Sequence, residues 1–122
     1  MLNNKSILKL ILILAITASL GNIFDAATTY FALQKGHIES NPFMKYIIDN
    51  FGFTISFIIK LAFIYIILPI KYFPMYYYFE SIMKIKNIKI KIFTITLMIT
   101  VYLILNYYFW NVSFGNLRFI VS

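Results

Sequence analysis

The sequence contains no cysteine. That removes disulfides, thiolate metal sites and cysteine nucleophiles together. It has one histidine, His37, so the several His and Cys of a zinc centre are not present either. Acidic residues are scarce: Asp25, Glu39, Asp49 and Glu80 are the 4 among 122 residues. Charged residues total 12%, about half of the roughly 25% usual in a soluble domain. What fills the chain instead is apolar: 61% of residues are hydrophobic. A soluble protein of this length has too little interior to hide so much apolar surface, so lipid is the expected solvent for much of it. The net charge of +7 does not point to nucleic acid, because the lysines lie beside apolar runs and read as topology signals. The length fits one domain, 1–122.

Taken in order, a short basic start carrying Lys5 and Lys9 leads into an apolar run. Small residues at Thr17-Ala18-Ser19 resemble a signal-peptide cleavage site. The apolar pattern continues well beyond them, which predicts an uncleaved first span over about 7–34. Within it, Ala18, Asn22, Asp25, Thr29 and Ala32 fall within about 40° of one line at ~100° per residue. Such a stripe of small and polar side chains should face protein and not lipid. An acid in this position, Asp25, is expensive to bury and is by default a candidate functional residue.

Lys35 and Gly36 suit a helix C-terminus. In Glu39-Ser40-Asn41-Pro42 the Asn41 is a good N-cap and Pro42 a good first helical residue. A short interfacial or re-entrant helix is expected over about 42–50, and a second span over about 53–70. Lys60 is the outlier in that span, at a depth close to that of Asp25, so it is expected to pair with Asp25 or Glu39. Residues 71–91 hold five lysines and one glutamate and read as a basic cytoplasmic loop resting on anionic headgroups. A third span over about 92–112 carries Asn106, placed by this reading near the depth of Lys60. The tail from Phe114 is read as short and non-spanning.

The fold class that follows is an all-α integral membrane protein, with three transmembrane helices plus the short helix after the first. Lysine bias places the N-terminus and the 71–91 loop in the cytoplasm and the C-terminus outside, as a multi-pass protein of the cell membrane. The candidate polar cluster is Asn22, Asp25, Thr29, Glu39, Asn41, Lys60 and Asn106. No catalytic residue and no metal ligand is assigned.

The pattern Asn22-x-x-Asp25, Thr29, Gly36, Glu39-x-Asn41-Pro42 and a lysine inside the second span, Lys60, resembles a family of small prokaryotic integral membrane proteins catalogued as a domain of unknown function. The resemblance covers about Asn22 to Lys60, and the later spans match it only in hydropathy. It implies three or four membrane segments and a shared polar site. It brings no established activity or cofactor.

Three functions could use such a cluster. An intramembrane hydrolase needs paired acids sharing a proton, or a serine beside a base. Asp25 has only Glu39 as a partner acid, and the His37/Ser40 spacing is weak, so this reading ranks last. An ion- or proton-coupled transport component would fit a buried acid with a buried lysine, but as an oligomer, since three spans are few. The leading expectation is an accessory or structural subunit of a larger membrane complex, not an enzyme, with no cofactor. The lipid bilayer and that complex, or a homo-oligomer, are its partners.

Overall fold

The computed structural model describes residues 3–39 and 41–121. Among the described residues five helices follow one another: α1 (Asn4–Gln34), α2 (Pro42–Phe51), α3 (Phe53–Ile67), α4 (Pro74–Met83) and α5 (Ile88–Val121). No strand occurs among the described residues. Two of the helices, α1 and α5, are long and apolar enough to cross a membrane.

The packing of α1 on α5 is the backbone of the molecule. Asn106 donates to Leu14 O, Trp110 Nε1 to Thr17 O and Ser113 Oγ to Gly21 O. Farther along, Lys35 Nζ donates to Ile120 O. Both partners advance together through these pairs, so α1 and α5 run parallel. The close approach is set by small residues on α1. Ala15, Ala18, Ser19, Asn22, Asp25, Ala26, Thr29 and Ala32 are all buried, which is the helix-packing stripe that a 3.6-residue period draws. Gly21 leaves no room for a side chain: a Cβ there would lie 2.9 Å from Trp110 Nε1 and 3.1 Å from Phe109 Cβ.

The turn after α1 is a Schellman closure. Gly36 N–H donates to Leu33 O and His37 N–H to Ala32 O, with Gly36 at φ +92°, a conformation glycine adopts without a Cβ penalty. Asn41 caps α2, its Oδ1 accepting from Phe43 N–H and Met44 N–H. Gly52, at φ +90°, turns the chain into α3.

The second expected span, 53–70, is a shorter helix. The 15 residues of α3 rise roughly 22 Å at ~1.5 Å each, short of a hydrocarbon core about 30 Å thick. Proline is the reason. Pro69 holds Leu68 in extended backbone, φ −77° and ψ 123°, and cannot itself donate to the helix. The carbonyl left at the end of α3 is satisfied from across the core, where the buried Tyr102 hydroxyl donates to Ile67 O.

Residues 71–91 are not one basic loop. They contain α4, which starts at Pro74, and the first turn of α5. Asn87 opens α5 early, its Oδ1 accepting from Lys89 N–H and Ile90 N–H, so the helix starts at Ile88 and not near residue 92. Phe79 and Ile82 of α4 are buried against Ile11, Ala15, Met98 and Tyr102.

The C-terminal tail is likewise helix. No proline follows Val112, and Ser113 and Asn116 are buried against α1. The third element therefore spans Ile88–Val121 and not 92–112.

Candidate functional site

Three helices meet at Asp25. It lies on the buried face of α1, and α3 runs antiparallel beside it, with the Tyr30 and Phe53 rings 5.3 Å apart above. Lys60 of α3 reaches across, its Nζ 2.6 Å from Asp25 Oδ2. The other carboxylate oxygen, Oδ1, accepts from Thr29 Oγ1 at 3.1 Å and from Asn116 Nδ2 at 3.5 Å. Asn116 Nδ2 also lies within bonding distance of Thr29 Oγ1 (3.0 Å) and Thr28 Oγ1 (3.3 Å). Asn22, one turn before Asp25, donates its amide to the Lys60 backbone carbonyl at 2.9 Å.

The electrostatic logic is that of a closed pair. A carboxylate withdrawn from water needs a counter-charge and donors for its lone pairs. Asp25 has a cation on one oxygen and two neutral donors on the other. Among the described residues, no buried side-chain polar atom lacks a hydrogen-bond partner.

Above the pair opens a cavity of about 270 Å3. Asn22, Asp25 and Lys60 form its polar floor, and Glu39 and Asn41 from the turn before α2 form its rim. Asn41 fixes the rim to α5 by donating its amide to Tyr108 Oη at 3.1 Å. Glu39 Oε1 accepts from Asn41 N–H at 3.1 Å. Ser40 lies outside the described residues. Phe43, Phe63 and Phe109 supply apolar walls. Among the described residues, no group of three His, Asp or Glu side chains converges as metal ligands would. The His37 ring packs 4.6 Å from that of Phe119.

The structure thus brings together Asn22, Asp25, Thr29 and Lys60, and sets Glu39 and Asn41 around the same cavity. Asn106 is elsewhere. It bonds Leu14 O and Tyr102 O, eleven positions before Asp25 along α1, or roughly 16 Å at ~1.5 Å per residue. The reason is the length of α5. With the helix ending at Val121, Asn106 falls near its middle and Asn116 takes the level expected for Asn106. Sequence reasoning missed Asn116 because the segment after Val112 reads as tail. The signal was present: Tyr102, Phe109, Ser113 and Asn116 recur at helical spacing across the assumed boundary.

A family model described as "Domain of unknown function (DUF5658)" matches residues 16–113. The chain belongs to this family. The matched stretch holds Asp25 and Lys60 and ends three residues before Asn116. No curated protein and no solved structure matches the chain.

Proposed function

We propose that the chain is a small multi-pass membrane protein that acts as an accessory or structural subunit of a larger membrane complex. The Asp25–Lys60 pair serves as the lock that fixes α3 against α1 and α5. One observation carries this reading: both carboxylate oxygens of Asp25 are engaged by side chains of the same molecule. A charge pair closed on itself sets register and helix identity, whereas a site awaiting an ion keeps ligands free.

The topology supports it. If α1 and α5 both cross the bilayer, their parallel course demands a return crossing between them. Only the segment through α3, the Pro69–Pro74 break and α4 provides one, as a discontinuous helix whose broken end is buried in protein. Lysine bias then puts the N-terminus in the cytoplasm and the C-terminus outside. Asn22-x-x-Asp25 and Glu39-x-Asn41-Pro42 are read as the signature positions of this arrangement.

A second reading, an ion- or proton-coupled transport component working as an oligomer, is favoured by the cavity over Lys60. Purification in mild detergent separates the two. Co-purification of a stoichiometric larger complex is the expected result. A chain that isolates alone or as a homo-oligomer, and whose reconstituted vesicles pass ions only while Asp25 is intact, would replace the first reading with the second.

A further inference from the structure

Most of the net positive charge of this protein is collected at one end. Lys5 and Lys9 on the first turns of α1, Lys84 and Lys86 after α4, and Lys89 and Lys91 on the first turn of α5 are joined there by a single acid, Glu80. At that end α1 and α5 part and leave a groove of about 460 Å3. Asn4 and Lys91 stand among its lining residues, and Lys91 is half-buried. Below Lys91 the walls are aliphatic apart from Thr96: Ile92, Ile95 and Ile99 from α5, with Ile7 and Leu10 from α1, while Ile88 flanks the mouth on its other side. The four isoleucines are spaced by four, three and four residues, one continuous face of a helix.

We propose that this groove holds one anionic phospholipid, its phosphate at Lys91 and Asn4 and one acyl chain along the isoleucine face. Three features select this occupant. The mouth is cationic, with no acid among its lining residues, and a lysine near a membrane surface is worth about 1 kcal/mol, or roughly fivefold in binding, toward anionic lipid. Apart from Thr96 the wall is apolar and follows one face of α5, as an alkyl chain requires. Below Lys91 its length, to Ile99, is roughly 12 Å at ~1.5 Å per residue, most of one leaflet, which is about half of a 30 Å core. A soluble anion would use the mouth but leave the wall unexplained. A partner helix would have to cover the half-buried Lys91 within its contact.

The inference rests on the membrane reading and not on whether the protein is an accessory subunit or a transport component. It is tested with the full chain in neutral detergent, titrated with dioleoyl-phosphatidylglycerol or with dioleoyl-phosphatidylcholine, counting bound lipids by native mass spectrometry. One phosphatidylglycerol should be retained in preference to phosphatidylcholine. Lys91→Ala should lower its occupancy about fivefold, and Thr96→Trp, which fills the groove from an exposed position, should lower it at least as much. Lys86→Ala, equally cationic but outside the groove, should leave it unchanged. The proposal is overturned if Lys86→Ala costs as much as Lys91→Ala, which marks a diffuse basic surface, or if Thr96→Trp binds like the native chain. Should Thr96→Trp not fold, the Lys91 and Lys86 comparison decides alone.

Discussion

Lys60 Nζ lies 2.6 Å from Asp25 Oδ2, with the two side chains only 13% and 5% exposed. The pair joins α3 to α1 beside the Asn22 amide bond to the Lys60 carbonyl and the Tyr30–Phe53 ring contact, and it is the one ionic link between the two helices among the described residues. Removing one member strands the other. Lys60→Met alone should therefore cost about 3–5 kcal/mol, the usual penalty for an uncompensated buried charge. Asp25→Asn combined with Lys60→Met should recover most of that, because an asparagine keeps an oxygen for Thr29 and Asn116. Thermal unfolding of Lys60→Met, Asp25→Asn and the double variant beside the native chain in detergent measures the coupling. Equal stability of the single and double variants would remove the pair as a lock.

At Gly21 the side chains of Phe109 and Trp110 press on the backbone of α1, and the chain's only tryptophan reports on the contact. Trp110 Nε1 donates to Thr17 O at 3.1 Å and would lie 2.9 Å from a Cβ at position 21. Gly21→Val places a branched side chain there and should destabilise by about 1–3 kcal/mol through overpacking. Its emission spectrum should shift as the indole loses its carbonyl partner. Gly21→Ala should show the same shift to a smaller degree, since the indole can yield by a few tenths of an ångström. A native spectrum for Gly21→Val would mean that Trp110 does not pack on α1.

How far the sequence revealed this arrangement depends on distance along the chain. The α1 face was legible because Asn22, Asp25 and Thr29 repeat at a fixed angle within one uninterrupted helix. The Gly36 and Asn41-Pro42 boundaries were legible because local chemistry decides caps. Lys60 could be matched to an acid because a buried charge requires a counter-charge. Asn116 and Asn106 were exchanged because their depth depends on where α5 starts and stops. Those ends are set by Asn87, whose capping role is hidden among alternating lysines and isoleucines, and by tertiary contacts of Ser113 and Asn116. The 53–70 span failed for a similar reason. Hydropathy runs on through Ile70, while the helix obeys Pro69.

The break after α3 leaves the Ile67 carbonyl to Tyr102, a residue 2% exposed. Tyr102→Phe keeps the ring in the core and removes only the donor. A carbonyl left unsatisfied in that setting costs about 1–3 kcal/mol. The loss should be local, because α1 and α5 still hold each other through their own pairs. Hydrogen exchange should rise in the last turn of α3 and in α4 while the middle of α1 stays protected. Uniform loss of protection across all helices would show that the break is no separate unit.

Gly115 stands inside α5 on an exposed face, and nothing lies within 4 Å of a Cβ built there. A glycine in a helix interior costs about 0.5–1 kcal/mol relative to alanine, through the backbone freedom it loses on folding. Gly115→Ala should therefore raise the unfolding temperature of the isolated protein in detergent, with no change at the Asp25 site, because the added methyl points away from the buried face that the neighbouring Asn116 presents to it. The same substitution examined in native membranes asks a different question. Small residues on a lipid-facing helix permit another backbone to come near, and an added methyl would obstruct that approach. If the chain is an accessory subunit docked through this face of α5, Gly115→Ala should be more stable alone yet recover less of its complex on mild-detergent purification. Unchanged recovery alongside the higher melting temperature would direct the search for the docking face to another side of the bundle.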